Sequence, residues 1–159
     1  MCKAFDAIFL KQYIKQNTQF IVKSNLAKKF LVDKGIEQFN VHTVGVGIDT
    51  QMLASNRVVC NDEIYRKMAA DKDAIKMLYV GRFEERRNIR FIIDVFQKVQ
   101  VQNDKVKLYM IGTGEKEYVQ SCFSYINELG LKDKVIWQEK MEQKFLSGIY
   151  QMSDFFVLP

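Results

Sequence analysis

The sequence has few of the residues that break or cross-link a chain. Only one proline, Pro159, and eight glycines occur among 159 residues, which excludes a disordered linker or a low-complexity protein. The three cysteines, Cys2, Cys60 and Cys122, are odd in number and far apart, so neither a disulfide framework nor a paired metal motif is indicated. A globular protein in a reducing compartment, the cytoplasm, is therefore expected.

Long apolar runs and histidine clusters are also missing. No stretch approaches the roughly 20 apolar residues of a membrane-spanning helix, and the N-terminus lacks the apolar block of a signal peptide. His42 is the single histidine, with no carboxylate or serine partner indicated, and we interpret it as a strand residue. The sequence shows no constellation of acid, base or nucleophile.

The net charge of +5 is unevenly distributed. The first forty residues contain seven lysines against Asp6, Asp33 and Glu37, so this segment carries most of the excess charge. Such a bias could attract an anionic membrane surface, at about 1 kcal/mol per well-placed cation, or it could be a solvated helix face. We favour the solvated face and keep peripheral membrane association as the alternative. Nucleic acid is not an expected partner, because the lysines are not interleaved with aromatic residues.

From Lys76 onward, apolar runs and helix-period patterns alternate. They predict strands over 76–80, 107–111, 134–138 and 154–158, and helices over 88–100, 115–129 and 142–152. Because crossovers between parallel strands are almost always right-handed, this alternation predicts an α/β fold: a parallel Rossmann-like sheet with helices on both faces. Ligands of such sheets bind at the carboxyl ends of the strands.

The pattern before Lys76 is less regular. It predicts a helix over 3–16, a strand over 19–23, a helix from 25 to 35, a strand over 41–46, and a helix around Ile64, Tyr65 and Met68. Ser24 is expected to cap the second of these helices at its N-terminus, and Gly35 to end it.

The stretch Met77 to Asn88, MLYVGRFEERRN, combines a buried strand, a basic turn and the start of a helix. Gly81 ends the strand in a turn that needs close backbone approach. Arg82 and Arg87 flank the turn, where guanidinium groups and a helix N-terminus suit a diphosphate. In the alternative interpretation, to which spacing alone gives equal weight, the three arginines are solvated charges balanced by two glutamates.

A second turn, IGTGEKEY, follows the next strand. Gly112 and Gly114 could bring bare backbone N–H groups toward an anion where the next helix begins. Taken alone, however, such a GTG sequence is more often a tight strand-to-helix turn.

The segment VGRFEERRN resembles the "VGR, hydrophobic, three variable residues, Lys, Asn" signature of family-4 glycosyltransferases, the retaining GT-B enzymes that use nucleotide-sugar donors. In that family the arginine and lysine of this turn hold the donor's diphosphate, which by resemblance assigns this role to Arg82 and Arg87; Arg87 stands where the lysine is usual. The family has a matching "Gly, variable, Gly" at Gly112 and Gly114. KVIWQEK resembles the segment before the base-contacting loop, where Gln138 is the nearest candidate.

The resemblance covers residues 19 to 159, since FLSGIYQMSDFFVLP also matches the family's "Leu, Tyr, Asp, Phe, Val, Leu, Pro" pattern. It implies that residues 1–50 are the end of an N-terminal acceptor domain and its linker, and that 51–159 are the first part of a nucleotide-sugar-binding domain. In the family, two glutamates eight positions apart follow the final proline. We therefore expect an internal fragment of a longer enzyme, inactive by itself.

The resemblance implies transfer of a sugar from a nucleotide-sugar to a saccharide or lipid-linked acceptor, with retention at the anomeric carbon. The donor is a substrate, and no cofactor or metal is expected. Asp71 and Asp73 form an acidic pair of the kind that metal-dependent glycosyltransferases use, but they precede a strand and are interpreted as a solvated loop. The alternative function is a non-catalytic nucleotide-binding or interaction module with the same fold. A dehydrogenase-like domain is less favoured, because no G-x-G-x-x-G follows the first strand.

Overall fold

The structure is a computed structural model that describes residues 12, 18–45, 47 and 62–159. The chain divides into two compact units, Met1–Asp49 and Thr50–Pro159. The helix predicted over 3–16 lies, except for Gln12, outside the described residues, and so does the predicted domain boundary at residue 50. The assignment of the two parts to an acceptor and a donor domain stays a prediction.

In the first unit, the described residues form two short parallel strands that are connected by an α-helix. The strands are β1 (Phe20–Val22) and β2 (Val41–Thr43), and the helix is α1 (Asn25–Asp33). The Ser24 hydroxyl accepts a hydrogen bond from the Ala27 N–H at 3.1 Å, which confirms the predicted N-cap. Gly35, just beyond the helix, has a φ of 92°. His42 lies in β2 as predicted, and its Nε2 is 2.7 Å from the Gln19 side-chain oxygen.

The second unit is a four-stranded parallel sheet with helices between its strands. Its elements are α2 (Glu63–Ala70), β3 (Ile75–Val80), α3 (Ile89–Gln102), β4 (Val106–Ile111), α4 (Lys116–Glu128), β5 (Val135–Gln138), α5 (Gln143–Met152) and β6 (Phe155–Phe156). All strand pairs are parallel, in the order β5-β4-β3-β6. The predicted α/β fold is confirmed, although β6 is shorter than the strand predicted over 154–158.

Helices cover both faces of this sheet. Successive strand residues point to opposite faces, so each strand contributes to two cores. One face packs against α3 and α4, and its core includes Met77, Tyr79, Phe83, Ile93, Phe96, Leu108, Met110 and Cys122. The opposite face packs against α2 and α5, and its core contains Ile64, Met68, Leu78, Tyr109, Ile111 and Ile149. The continuous apolar runs in β3 and β4 are thus those of strands covered on both sides.

The strand order places β3 at a reversal point of the sheet. The chain runs outward from β3 to β4 and β5, and then returns to the other side of β3 to form β6. In open α/β sheets, ligands bind outside the carboxyl ends of the strands at such a reversal. Gly81, the residue that follows β3, therefore begins the segment best placed for a ligand.

The loop between α2 and β3 contains Asp71 and Asp73, which the sequence analysis interpreted as solvated. Asp71 accepts hydrogen bonds from the Lys107 ammonium group at 2.5 Å and from the Tyr109 hydroxyl. The solvated-loop interpretation is therefore wrong for Asp71, because two side chains of β4 reach it. It holds for Asp73, which is exposed.

Candidate functional site

The loops that follow β3 and β4 stay hydrogen-bonded beyond the ends of the strands. The Gly81 N–H donates to the Ile111 carbonyl at 2.9 Å, and the Phe83 N–H donates to the Thr113 carbonyl at 2.9 Å. The two turns singled out in the sequence are thereby brought side by side at the carboxyl edge of the sheet.

Two glycines allow this close approach. A Cβ atom on Gly112 would lie 1.7 Å from the Gly81 carbonyl oxygen, and one on Gly114 would lie 1.8 Å from the Phe83 carbonyl oxygen. Any larger residue at either position would collide with backbone. The close backbone approach expected at Gly81 is confirmed, and it explains the GTG sequence without a ligand.

The expectation that Gly112 offers an unpaired N–H group to an anion is wrong. Its N–H is not bare, because it donates to the Gln138 carbonyl at 3.0 Å and so extends the pairing of β4 with β5. A contact between Gly114 and an anion stays a prediction.

Phe83 anchors the arginine turn in the core. Its side chain is fully buried, and its ring centroid lies 5.9 Å from that of Tyr79 and 6.4 Å from that of Trp137. The Tyr79 hydroxyl also donates to the Arg82 carbonyl at 2.8 Å. The backbone on both sides of Phe83 is therefore held in place, and with it the residues that carry the charges of the turn.

Arg82 and Arg86 both pair with Glu84. Arg82 Nε lies 2.8 Å from Glu84 Oε1, and Arg86 Nε lies 2.6 Å from Glu84 Oε2. The hydrogen bond from Arg86, together with the nearby charges of Arg82 and Arg87, lowers the pKa of the Glu84 carboxyl group. For Arg82 and Arg86, the interpretation as exposed charges balanced by a glutamate describes this structure correctly.

Arg87 has a different environment. It is partly buried, and its Nε is the one buried side-chain nitrogen or oxygen without a hydrogen-bond partner in the described part of the chain. Buried donors in proteins are nearly always paired, so this guanidinium nitrogen lacks a partner that the described residues do not supply. The solvated-loop interpretation therefore does not describe Arg87.

A polar cavity of about 310 Å³ opens between the arginine turn and the start of α4. It is lined by Arg82, Phe83, Glu84, Glu85, Glu115 and Tyr118. Glu115 precedes α4, and its side chain does not cap the helix, so the first-turn N–H groups keep their partial positive charge. The sequence analysis did not identify Glu115 or Tyr118 as cavity residues; their only signal was their position directly after the GTG turn.

Gln138, the predicted contact for a nucleotide base, lies at the end of β5. Its side-chain amide donates to Asp62 Oδ2 at 3.0 Å and to the Lys140 carbonyl at 3.1 Å. The amide group thus ties the loop after β5 to the residue that precedes α2. Its contact with a base stays a prediction. The neighbouring Trp137 donates from Nε1 to the Gly112 carbonyl at 2.9 Å and packs in the core.

The described residues contain neither a metal-binding cluster nor a membrane-spanning helix. No group of three or more His, Cys, Asp or Glu side chains in residues 18–45 and 62–159 is arranged to hold a metal ion. Within the same residues, no helix combines the length and the apolar character needed to cross a membrane.

Solved structures similar to this chain include proteins named as glycosyltransferases. A glycosyltransferase from Rickettsia africae superposes with a TM-score of 0.76 and 13% identity, over 98% of this chain and 41% of that one. Anabaena Alr3699/HepE, crystallised with UDP-glucose, gives a TM-score of 0.67 and 15% identity, over 87% of this chain and 37% of that one. The pneumococcal O-GlcNAc transferase GtfA, crystallised with UDP and GlcNAc, gives 0.65 and 15%, over 92% and 27%.

At these identities the likeness shows the fold, and the chain spans less than half the length of each of these structures. No curated protein sequence gives a significant match. The model of the family "Glycosyl transferases group 1" matches residues 61–159, which is more than half of the chain and includes both turns described above. The chain therefore belongs to the group 1 glycosyltransferase family.

Proposed function

We propose that this chain is the donor-binding part of a family-4 enzyme that transfers a sugar from a nucleotide-sugar to a saccharide or lipid-linked acceptor, with retention at the anomeric carbon. The observation that carries the proposal is the family match over residues 61–159. The UDP and UDP-glucose bound to the Anabaena structures support a nucleotide-sugar as the donor. Peripheral membrane association through the basic N-terminal segment stays a prediction.

In this proposal the donor's diphosphate binds at the carboxyl end of β3. Arg82 follows that strand directly and lines the polar cavity beside the start of α4. Arg87 does not line this cavity; the family resemblance assigns it to the diphosphate, and its buried Nε has no hydrogen-bond partner in the described part of the chain. Guanidinium groups bind phosphate oxygens through planar, charge-assisted hydrogen bonds. Gly112 and Gly114 support the site by letting the two loops pack together, and a Cβ on Gly81 would lie 2.8 Å from the Tyr79 hydroxyl.

Titration calorimetry with UDP and GDP tests this assignment. A charge-assisted hydrogen bond contributes about 1.5 to 3 kcal/mol, so we expect Arg82→Ala to weaken both nucleotides by roughly ten- to a hundred-fold, with solvent exposure favouring the lower figure. Arg87→Lys restores the residue usual in the family and should keep most of the affinity.

Arg86→Ala is the matched control, because Arg86 belongs to the same turn and pairs with the same glutamate but does not line the cavity. It should weaken binding far less than Arg82→Ala does, through a long-range electrostatic effect and the loss of its pairing with Glu84. If Arg82→Ala and Arg87→Ala both bind nucleotide as the parent does, the diphosphate assignment is wrong and the arginines are surface charges.

The second candidate is a nucleotide-binding or interaction module without catalysis. It is favoured by the cavity lining, which contains three glutamates and a tyrosine but no histidine, cysteine or serine. Under either candidate we expect no sugar transfer by this chain alone, because a preorganised site must surround both donor and acceptor. Labelled UDP- and GDP-sugars with simple alcohol or lipid acceptors should give no product. A measurable turnover would show that the residues present suffice for catalysis and would exclude the non-catalytic module.

A further inference from the structure

Glu84 lies between the two exposed arginines of the turn. Its Oε1 is 2.8 Å from Arg82 Nε, and its Oε2 is 2.6 Å from Arg86 Nε. The Glu84 side chain is 22% exposed, whereas those of Arg82 and Arg86 are 74% and 73% exposed. The carboxylate is therefore the more constrained member of the cluster, on which two long and flexible side chains converge.

The backbone around Glu84 restricts its movement. The preceding residue, Phe83, is fully buried, and its N–H is bonded to the Thr113 carbonyl. The Glu84 carbonyl itself accepts a hydrogen bond from the Arg87 N–H at 2.9 Å. Because Glu84 is held while Arg82 is not, a ligand that draws the Arg82 guanidinium toward itself must separate the two side chains.

We infer that Glu84 is an internal counter-anion, which a diphosphate displaces from Arg82 when it binds. This inference rests on the proposed function, in which Arg82 binds the diphosphate of the donor. A carboxylate and a phosphate are both oxyanions that accept hydrogen bonds from guanidinium, so they compete for the same donors. Glu84 and Arg82 line the same cavity, and the exchange therefore needs only rotation of the arginine side chain.

Arg86 makes the exchange less costly. It remains bonded to Glu84 Oε2 when Arg82 moves away, so the carboxylate is not left without a cationic partner. Glu84 thereby lowers the affinity for the nucleotide and keeps Arg82 from recruiting anions from solution. It is a residue that tunes donor binding and takes no part in the chemistry of transfer.

The matched pair Glu84→Gln and Glu85→Gln tests the inference. Both substitutions remove one negative charge from the same cavity, but only Glu84 pairs with Arg82 and Arg86. Exposed ion pairs are weak, and only the pair with Arg82 is lost when the diphosphate binds. We therefore expect Glu84→Gln to tighten UDP binding by roughly two- to fivefold, and Glu85→Gln to change it by less than about twofold.

The dependence of UDP affinity on salt concentration is a second measurement. Loss of a merely structural contact would not change it. In the parent, the diphosphate replaces a carboxylate that belongs to the protein, whereas in Glu84→Gln it replaces anions from solution. UDP affinity should therefore fall more steeply with sodium chloride in Glu84→Gln than in Glu85→Gln. Glu84→Ala should change affinity and salt dependence in the same direction, and a thermal melt of each variant verifies that it is folded.

The experiment is calorimetric titration of the full chain with UDP at several salt concentrations. If the parent binds UDP but Glu84→Gln binds no more tightly than Glu85→Gln, Glu84 is not a competitor of the diphosphate, and the proposed function stands without it. If neither the parent nor any variant binds UDP or GDP, the proposed function fails and this inference fails with it.

Discussion

At the residue scale, the charged side chains of the second unit form two different kinds of cluster. In the cluster around Glu84, the arginines are exposed and can change partners. In the cluster around Asp71, the side chains of Asp71 and Lys107 are 22% and 27% exposed, and the Tyr109 hydroxyl donates to the Asp71 carboxylate. The first cluster is suited to ligand exchange and the second to holding the fold together.

The Asp71 cluster should make stability depend on pH. Burial alone would raise the pKa of Asp71, but hydrogen bonds from Lys107 and Tyr109 and the charge of Lys107 lower it below its ordinary value of 3.8. Because the folded state holds the ionised form, the stabilisation is present above about pH 4 and is lost as the pH falls below that value. Burial and the Asp71 carboxylate also raise the pKa of Tyr109, so the tyrosine stays a donor throughout.

We expect Asp71→Asn to lower the free energy of unfolding at pH 7 by roughly 1 to 3 kcal/mol, because it weakens hydrogen bonds to two partly buried partners. The difference from the parent should shrink between pH 5 and pH 3. Urea unfolding at several pH values measures both effects. Asp73→Asn is the control, since Asp73 is exposed in the same loop and should change little. An Asp71→Asn deficit that is constant across this pH range would contradict the ionisation argument.

At the scale of elements, the site depends on two strand-to-helix turns packed backbone against backbone. The turn after β3 is held by Phe83, and the turn after β4 passes it so closely that side chains are excluded at Gly112 and Gly114. The position of α4, and with it the cavity beside Arg82, therefore follows from a steric requirement in the loops.

Gly114→Ala should destabilise the second unit by at least about 2 kcal/mol, because the new Cβ would lie 1.8 Å from the Phe83 carbonyl oxygen and would force the two turns apart. Its φ is not in the left-handed region, so the effect would be steric. Gly45→Ala is the control, since no atom lies within 4 Å of its Cβ position. Chemical denaturation of both variants decides the matter, and equal stabilities would mean that the loops adjust without cost.

At the scale of the whole second unit, the edge strand β6 is incompletely covered. Phe155 and Phe156 are 59% and 49% exposed, and Leu158 is 57% exposed. Apolar cavities of about 310 and 710 Å³ adjoin the strand. An exposed, apolar edge strand offers unpaired backbone groups to another chain.

We expect the chain to associate as its concentration rises, and Phe155→Lys to reduce this association, because charge at an edge opposes strand pairing. Val101→Lys is the control: Val101 is 79% exposed but lies in α3 and lines neither cavity. Sedimentation velocity over a range of concentrations measures the effect. A parent protein that stays monomeric at the highest concentration would show that this edge does not mediate association.

The sequence by itself determined the repeated β–α pattern, the positions of the two turns and the cap at Ser24. These features depend on local properties: the periodicity of apolar residues, the freedom of glycine and the hydrogen bond of an N-cap with residues close by in the chain. The resemblance of VGRFEERRN to a family signature identified the class of protein, and the family match over residues 61–159 confirms group 1 membership.

The tertiary structure alone decided which polar groups near the ends of the strands are already hydrogen-bonded. The Gly112 N–H is taken by the carbonyl of Gln138, and Asp71 is taken by Lys107 and Tyr109; these partners are far apart in the chain, where no local pattern links them. Glu84 and Glu85 are neighbours in the sequence, but Glu84 is the residue that pairs with Arg82 and Arg86. The packing of Phe83 in the core selects Glu84, because it fixes the direction of the backbone at that residue. Local physics thus set the elements, and contacts between distant strands set the chemistry available at their ends.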